Sequence, residues 1–282
     1  MRIFRLAILG VGVFVSAAAF AQKPLLVASE ASAGRMPWPV YGDAPAPISS
    51  IVPSEPRIDL PNAIAIPQLA PDLALREYEQ HAARQSESLA AYTAKTVIKA
   101  SLPETSQYGE YELEQHFAAP RNLQFKPVRF TGDGFVKSNI ITRLLQSEVD
   151  HLQKDDTSLT ALNSSNYKFS YKGKTQLDTQ LVHVYQVKPR KKRVGLFKGK
   201  IYLNVETGSL VRAEGALVKS PSFFVKKIEF VQDYADVSSF TFPVHIHSEA
   251  ATRLVGRTVV DMFQTDYQPV RSETSAQVIG TR

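Results

Sequence analysis

Two histidines and a glutamate at alternate positions, His245-x-His247-x-Glu249, form the sharpest polar constellation in the chain. On an extended strand all three share one face, and two imidazoles with a carboxylate can bind zinc or a related transition metal. Same-face neighbours on one strand stand about 7 Å apart, too far for three ligands to meet one ion without a bend. The interleaved Phe240, Phe242, Val244 and Ile246 offer a plainer account, an apolar face with a polar reverse, and the expectation is no metal. A second cluster, Lys188, Arg190, Lys191, Lys192 and Arg193, surrounds Pro189 with positive charge. Such a run either docks on anionic lipid head groups or solvates a hairpin turn and guards a sheet edge.

Other chemistry is excluded. Gly195 to Lys200 suggests a phosphate loop, but only three residues separate its glycines and Ile201 stands where Ser or Thr is required. There is no Gly-x-Ser-x-Gly and no His-Glu-x-x-His. Asp155-Asp156 reads as a solvated or capping pair, and Glu110, Glu112 and Glu114 as one exposed strand face. With no cysteine, thiolate metal sites, thiol nucleophiles and disulfides are all ruled out. No catalytic residue is assigned, no cofactor is implied, and the expectation is a protein that is not an enzyme.

The elements that must position these residues are mostly strands. Asp72 is placed as a helix cap behind Pro71, with Leu75, Tyr78, Ala82, Leu89 and Tyr92 near helical spacing. Strand period takes over from Tyr92 to Leu102 and returns over Glu110 to Phe117 and Leu123 to Phe130. A second helix is expected from about Val136 to Leu152, with Ile140, Ile141, Leu144, Leu145 and Val149 on its apolar stripe. Seven strand-like runs then follow, from Tyr167 to Tyr267, joined by short turns at Gly173, Glu206-Thr207-Gly208 and Ser220-Pro221-Ser222. Short connections imply antiparallel pairing. In the run 197–205 the odd positions Phe197, Gly199, Ile201, Leu203 and Val205 are apolar or small and the even ones polar. The expected fold is therefore α+β, mainly antiparallel β: a curved, half-open β-barrel with helices covering its concave face.

Ahead of this domain, Arg2 and Arg5 precede an apolar stretch of about ten residues and the small-x-small triplet Ala19-Phe20-Ala21, the three parts of a secretory signal peptide. The apolar core is half the length a membrane-spanning helix needs, so cleavage is expected after Ala21, giving a periplasmic or secreted protein. Residues 22–71 carry ten prolines and read as a disordered tether, with Trp38 inside it; residues 271–282 read as a disordered tail. Removing Arg2 and Arg5 leaves 31 basic side chains against 27 acidic, a formal charge of about +4. That suits an anionic lipid surface and falls short of a nucleic-acid signature, so no nucleic-acid partner is expected.

One ordered series stands out downstream. Val184-Tyr-Gln-Val-Lys-Pro-Arg-Lys-Lys192 is followed by Phe197-Lys-Gly-Lys-Ile-Tyr202, Glu206-Thr-Gly208, Val211-Arg-Ala-Glu-Gly215, Lys219-Ser-Pro-Ser-Phe-Phe224 and Phe242-Pro243. The series resembles the LolA/LolB-like group of outer-membrane lipoprotein-sorting proteins and spans residues 75–270. The resemblance implies a half-barrel of about eleven strands with an apolar cavity that carries acyl chains between membranes. The expected partners are then lipid or lipoprotein acyl chains, with an anionic membrane surface or envelope proteins as further contacts. The cavity is assigned to the apolar face that includes Phe197, Ile201, Leu203, Phe240, Phe242, Val244 and Ile246; the same residues could simply pack under the helices. The alternative is a non-catalytic structural or interaction protein of the cell envelope, without a small-molecule ligand. The Pro-rich tether and the lack of a lipid-modified cysteine depart from the membrane-anchored kind.

Overall fold

The computed structural model describes residues 67–272, apart from 155–156, 221–224 and 254. The signal peptide and its cleavage point after Ala21, all but the end of the proline-rich stretch, Trp38, Asp155-Asp156, the Pro221 turn and residues 273–282 lie outside the described residues.

Helix α1 (Pro71–Ser88) begins two residues earlier than capping by Asp72 would allow, with Ala70 in the cap position. Pro71 occupies the first helical position, where its missing N–H costs nothing, and Asp72 lies in the first turn near the positive end of the helix dipole. The helix also stops sooner than its apolar spacing suggests, because Leu89 and Tyr92 belong to strand β1 (Leu89–Leu102). Strands β2 (Gln107–Ala118) and β3 (Asn122–Gly132) complete a first antiparallel meander. A helical segment follows in three parts: a short turn α2 (Gly134–Val136), a π-helical turn (Lys137–Ile141) and α3 (Thr142–Lys154). It leads from edge strand β3 to β4 (Tyr167–Leu177), which forms the opposite edge.

From there β5 (Gln180–Pro189), β6 (Phe197–Asn204), β7 (Leu210–Leu217), β8 (Val225–Val237), β9 (Phe240–Thr252) and β10 (Arg257–Arg271) meander back until β10 pairs with β1. One ten-stranded antiparallel sheet results, in the order β3-β2-β1-β10-β9-β8-β7-β6-β5-β4. Its end strands β3 and β4 do not pair with each other, so the barrel is open, with one strand fewer than the eleven or so implied by resemblance. Arg271 is the last residue of β10 and not the start of a tail; Ser272 still donates its N–H to Ser88 O at 2.9 Å.

Strand alternation sorts the side chains. On β2 the carboxylates Glu110, Glu112 and Glu114 point outward while Tyr111, Leu113 and Phe117 are buried, as period two demands. The buried face collects into three apolar clusters. Under α1, Tyr78 and Ala82 meet Tyr185, Val187, Phe197, Ile201, Leu203, Leu210 and Phe230. Under the segment 134–154, Val136, Ile140, Ile141, Leu144 and Leu145 meet Ile98, Leu113, Ile246 and Met262. A third group joins Leu152 to Tyr92, Phe117, Phe240, Phe242 and Tyr267. Strands β6 and β7 run close together where Gly199 faces Gly215: a Cβ on Gly199 would lie 1.8 Å from Glu214 O.

Candidate binding site on the concave face

The two helical covers meet the sheet by different chemistry. Helix α1 is held by polar contacts: Tyr78 Oη donates to Leu162 O at 3.0 Å, Gln85 Nε2 donates to Thr241 O at 3.0 Å, and Thr241 N–H donates back to Gln85 Oε1 at 2.8 Å. Two further contacts fix the chain entering it. Tyr185 Oη donates to Pro71 O at 2.6 Å, and fully buried His183 presents Nε2 to Leu69 O at 3.0 Å. Since a carbonyl only accepts, that nitrogen carries the proton. A cavity of about 20 Å³ remains beside α1, lined by His81, Gln85 and Thr241 among others, roughly the space of one water.

The segment 134–154 turns mostly aliphatic side chains to the sheet. Its start is steadied by Lys137, whose Nζ stands 5.0 Å from the Tyr111 ring centre and 4.9 Å from that of Phe130. At its end, Arg121 donates to Gln153 O at 3.3 Å. One charge lies within the apolar stripe. Glu148 is half-buried as a residue, but its carboxyl is desolvated, and burial pushes it up to about 7. It faces the phenols of Tyr92 and Tyr267, each held well above the ordinary tyrosine range, chiefly by burial.

Around these phenols lies an aromatic and amide seam. Phe242 stacks on Tyr267 at 4.3 Å between ring centres, and Tyr92 contacts Phe117 at 5.3 Å and Phe242 at 5.2 Å. Tyr267 Oη donates to Pro243 O at 2.7 Å. Gln115 Nε2 donates to Tyr92 Oη at 2.8 Å, while its Oε1 accepts from Gln264 Nε2 at 2.6 Å and Thr96 Oγ1 at 3.2 Å. Two strands away, Gln232 is only 2% exposed and its Oε1 has no hydrogen-bond partner. It sits between Ala213 on β7 and Ile246 on β9, where the cluster under α1 meets the cluster under α3. An unpaired buried amide costs about 1–3 kcal/mol, so this position works against stability.

The residues assigned to a cavity divide among the three clusters. Phe197, Ile201 and Leu203 are fully buried beneath α1, Phe240 and Phe242 lie in the aromatic seam, and Ile246 lies beneath the segment 134–154. Val244 is half-buried at the register irregularity between β8 and β9, where Asp233 pairs with His245 and Tyr234 with Pro243. Glu148, Gln232, Gln115 and Gln264 were not singled out from sequence, although two of them carried a signal. Glu148 interrupts the helical stripe Ile141, Leu144, Leu145, Leu152, and Gln232 interrupts the alternation Ile228, Phe230, Tyr234.

The outer face is organised by charge. His245 Nε2 and His247 Nδ1 both reach Asp261 Oδ1, at 3.1 and 2.9 Å, and Glu249 is bound twice by Arg257, at 3.0 and 2.5 Å. Asp261 on β10 therefore intervenes between the imidazoles, and Glu249, 3.6 Å from His247 Nε2, is held by Arg257. Among the described residues no three His, Asp or Glu side chains are arranged to hold a metal ion. An open recess of about 450 Å³ lies on this face at the β10 bulge, lined by Thr93, Lys95, Glu114, His116, Asp266 and Gln268. Its Lys95–Asp266 pair, at 2.7 Å, is largely exposed. In the basic run, Arg190 turns back to hold its own loop, its Nε donating to Ser164 O at 2.8 Å and Tyr167 O at 3.2 Å. Lys188, Lys191 and Lys192 are exposed and Arg193 half-buried.

No family model and no curated protein matches this sequence. Solved structures similar to it include a LolA superfamily protein from Nitrosomonas europaea, with 10% identity over 71% of this chain and 93% of that one, at a TM-score of 0.35. An outer membrane lipoprotein-sorting protein domain from Vibrio parahaemolyticus is 12% identical over 71% and 92%, at 0.37. A DUF1329 family protein from Desulfovibrio piger is 12% identical over 70% and 90%, also at 0.37. Likeness at this level places no ligand and no residue role on the chain; those follow from its own geometry.

Proposed function

We propose that the protein is an exported carrier that shelters a lipid, an acyl chain or a lipoprotein tail between its sheet and the helical segment 134–154. The observation that carries this reading is the contrast between the two covers. Helix α1 is fixed by hydrogen bonds to Thr241 on β9 and to Leu162 in the loop before β4, whereas 134–154 covers an apolar face with Val136, Ile140, Ile141, Leu144, Leu145 and Leu152. Aliphatic contact is non-directional, so an acyl chain can replace it. Lifting six buried aliphatic side chains forfeits roughly 1.5–3 kcal/mol each, about 9–18 kcal/mol in all. Burying a chain of roughly sixteen carbons returns about 12 kcal/mol at about 0.8 kcal/mol per methylene. The near balance suits a carrier, which must both load and release.

Lipid extraction and mass spectrometry on protein prepared from an envelope fraction without detergent test the proposal. A stoichiometric acyl species, or saturable uptake of a fluorescent fatty acid that Leu144→Ala accelerates, is the expected result. Clean protein that also refuses the probe would sink it. One observation favours a second reading, a non-catalytic envelope interaction protein: the cavity beside α1 has about 20 Å³ of space, room for roughly one water and not for an acyl chain.

A further inference from the structure

We infer that the end of the sheet formed by β4, β5 and β6 is a docking surface for an anionic phospholipid bilayer. Over most of the outer face, charges are neutralised across strands. Lys200 meets Glu214 at 3.4 Å, Lys99 meets Glu110 at 3.4 Å, Arg129 meets Glu112 at 2.5 Å, and Arg212 is bonded to Asp233. At the end formed by β4, β5 and β6 several basic side chains cluster without such partners. Lys168 on β4 lies directly opposite Lys188 on β5, and Lys198, opposite Ala216, extends the positive charge onto β6. Like charges directly opposed on neighbouring strands are destabilising. The turn from β5 to β6 then adds Lys191, Lys192 and Arg193 at the same end. None of these six side chains makes an ion pair among the described residues.

Edge protection does not account for the arrangement. A guard against strand addition belongs on the edge strand, and only Lys168 is there; Lys188 and Lys198 lie one and two strands further in. Nor does the array fit a single small anion, because all its lysines are exposed and no buried donor converges with them on one point. Three lysines across adjacent strands roughly 5 Å apart, with three more charges on the adjoining turn, match an extended sheet of negative charge. A bilayer surface carrying anionic head groups is such a partner, and each basic residue near it strengthens partitioning roughly fivefold.

Co-sedimentation of the purified full-length protein with lipid vesicles tests the assignment. Binding is expected to mixed phosphatidylcholine–phosphatidylglycerol vesicles and not to phosphatidylcholine alone, and it should weaken with added salt. Neutralising three residues in the variant Lys191→Gln, Lys192→Gln, Arg193→Gln should lower partitioning roughly 100-fold, with the far-ultraviolet circular dichroism unchanged. A control with the same charge change elsewhere, Lys95→Gln, Lys99→Gln, Lys126→Gln, should retain most of the binding. No affinity for the anionic vesicles, equal affinity for the zwitterionic ones, or equal loss in both variants would each overturn the inference. So would full competition by dextran sulfate at a lower charge concentration than the vesicles, since a soluble polyanion would then be the better partner.

Discussion

Replacing Glu148 by glutamine should make the protein more stable at neutral pH and less sensitive to pH, although the change removes a charge and adds no contact. The carboxyl titrates at about 7 in the folded protein against an ordinary value of 4.5, and burial is the cause. An acid with a raised folded value keeps its proton in the native state while the unfolded chain has already lost it. From pH 4.5 to about 7 the native state therefore binds more protons, and stability falls as pH rises. Below that window the group contributes no penalty, and above it the penalty is constant. At about 1.4 kcal/mol per unit, and allowing for partial solvent access to a half-buried residue, the full penalty is about 2–3 kcal/mol. Glutamine keeps the shape and has no charge to bury. Urea unfolding followed by circular dichroism should give Glu148→Gln an advantage of about 2–3 kcal/mol at roughly pH 8, shrinking towards zero at roughly pH 4. The same linkage applies if only 134–154 lifts, so fatty-acid uptake by the natural protein should quicken with pH through this window and that of the variant should not. Parallel stability curves for the two proteins would refute the placement of this carboxyl in the apolar layer.

Gln232→Met should raise stability by about 1–3 kcal/mol, because it removes a buried amide oxygen without a partner; calorimetry reads the gain, and a loss would mean the oxygen is satisfied. If that amide serves a bound lipid, the stabilised variant should capture less of it, which a fluorescent acyl probe measures. Gly199→Ala should destabilise by about 3 kcal/mol, the upper end of what overpacking costs, since the new methyl would meet a backbone carbonyl and force β6 from β7; a normal denaturation midpoint would count against the close approach. His81 is held below its ordinary value of 6.5, chiefly by burial, while Asp236 opposes the shift. The unfolded chain therefore gains a proton first as pH falls through 6.5, and stability should decline there; His81→Gln should flatten that acid limb in a pH series of thermal melts.

Much of the fold was legible because strand alternation and turn chemistry are local. The run 197–205 alternates cleanly, and Phe197, Ile201, Leu203 and Val205 are all buried. The helix over Ile140 to Val149 announced itself by an apolar stripe. Failures came where local signals overlapped. Leu89 and Tyr92 continue the helical spacing of α1, but their burial against Phe117 and Phe242 is won by β1 pairing with β2 and β10. The partners of His245, His247 and Glu249 were hidden for a different reason: Asp261 and Arg257 lie on the next strand, and cross-strand partners are invisible to spacing along one strand. Glu148 and Gln232 stood in plain view as polar interruptions of apolar periods. An interruption shows that a polar group is being buried, while only the fold shows whether anything answers it.

That distinction bears on how a concave face covered by packed helices can belong to a carrier. A protein whose only task is to stand as a rigid adaptor gains nothing from burying Glu148 and leaving Gln232 unpaired, since apolar residues of similar shape would pack there at lower cost. Gln232 lies at the junction of the clusters under α1 and the segment 134–154, and Glu148 lies on that segment against Tyr92 and Tyr267 of the aromatic seam. The unanswered amide oxygen of Gln232 thus falls where the two covers adjoin and Glu148 falls within the second cover, while α1 remains hydrogen-bonded on the other side. Local opening follows low local stability, so the segment 134–154 should exchange its amide hydrogens ahead of β5 to β8. Hydrogen exchange that is uniform across both covers would instead mark a single cooperative core, and the adaptor reading would then be the stronger one.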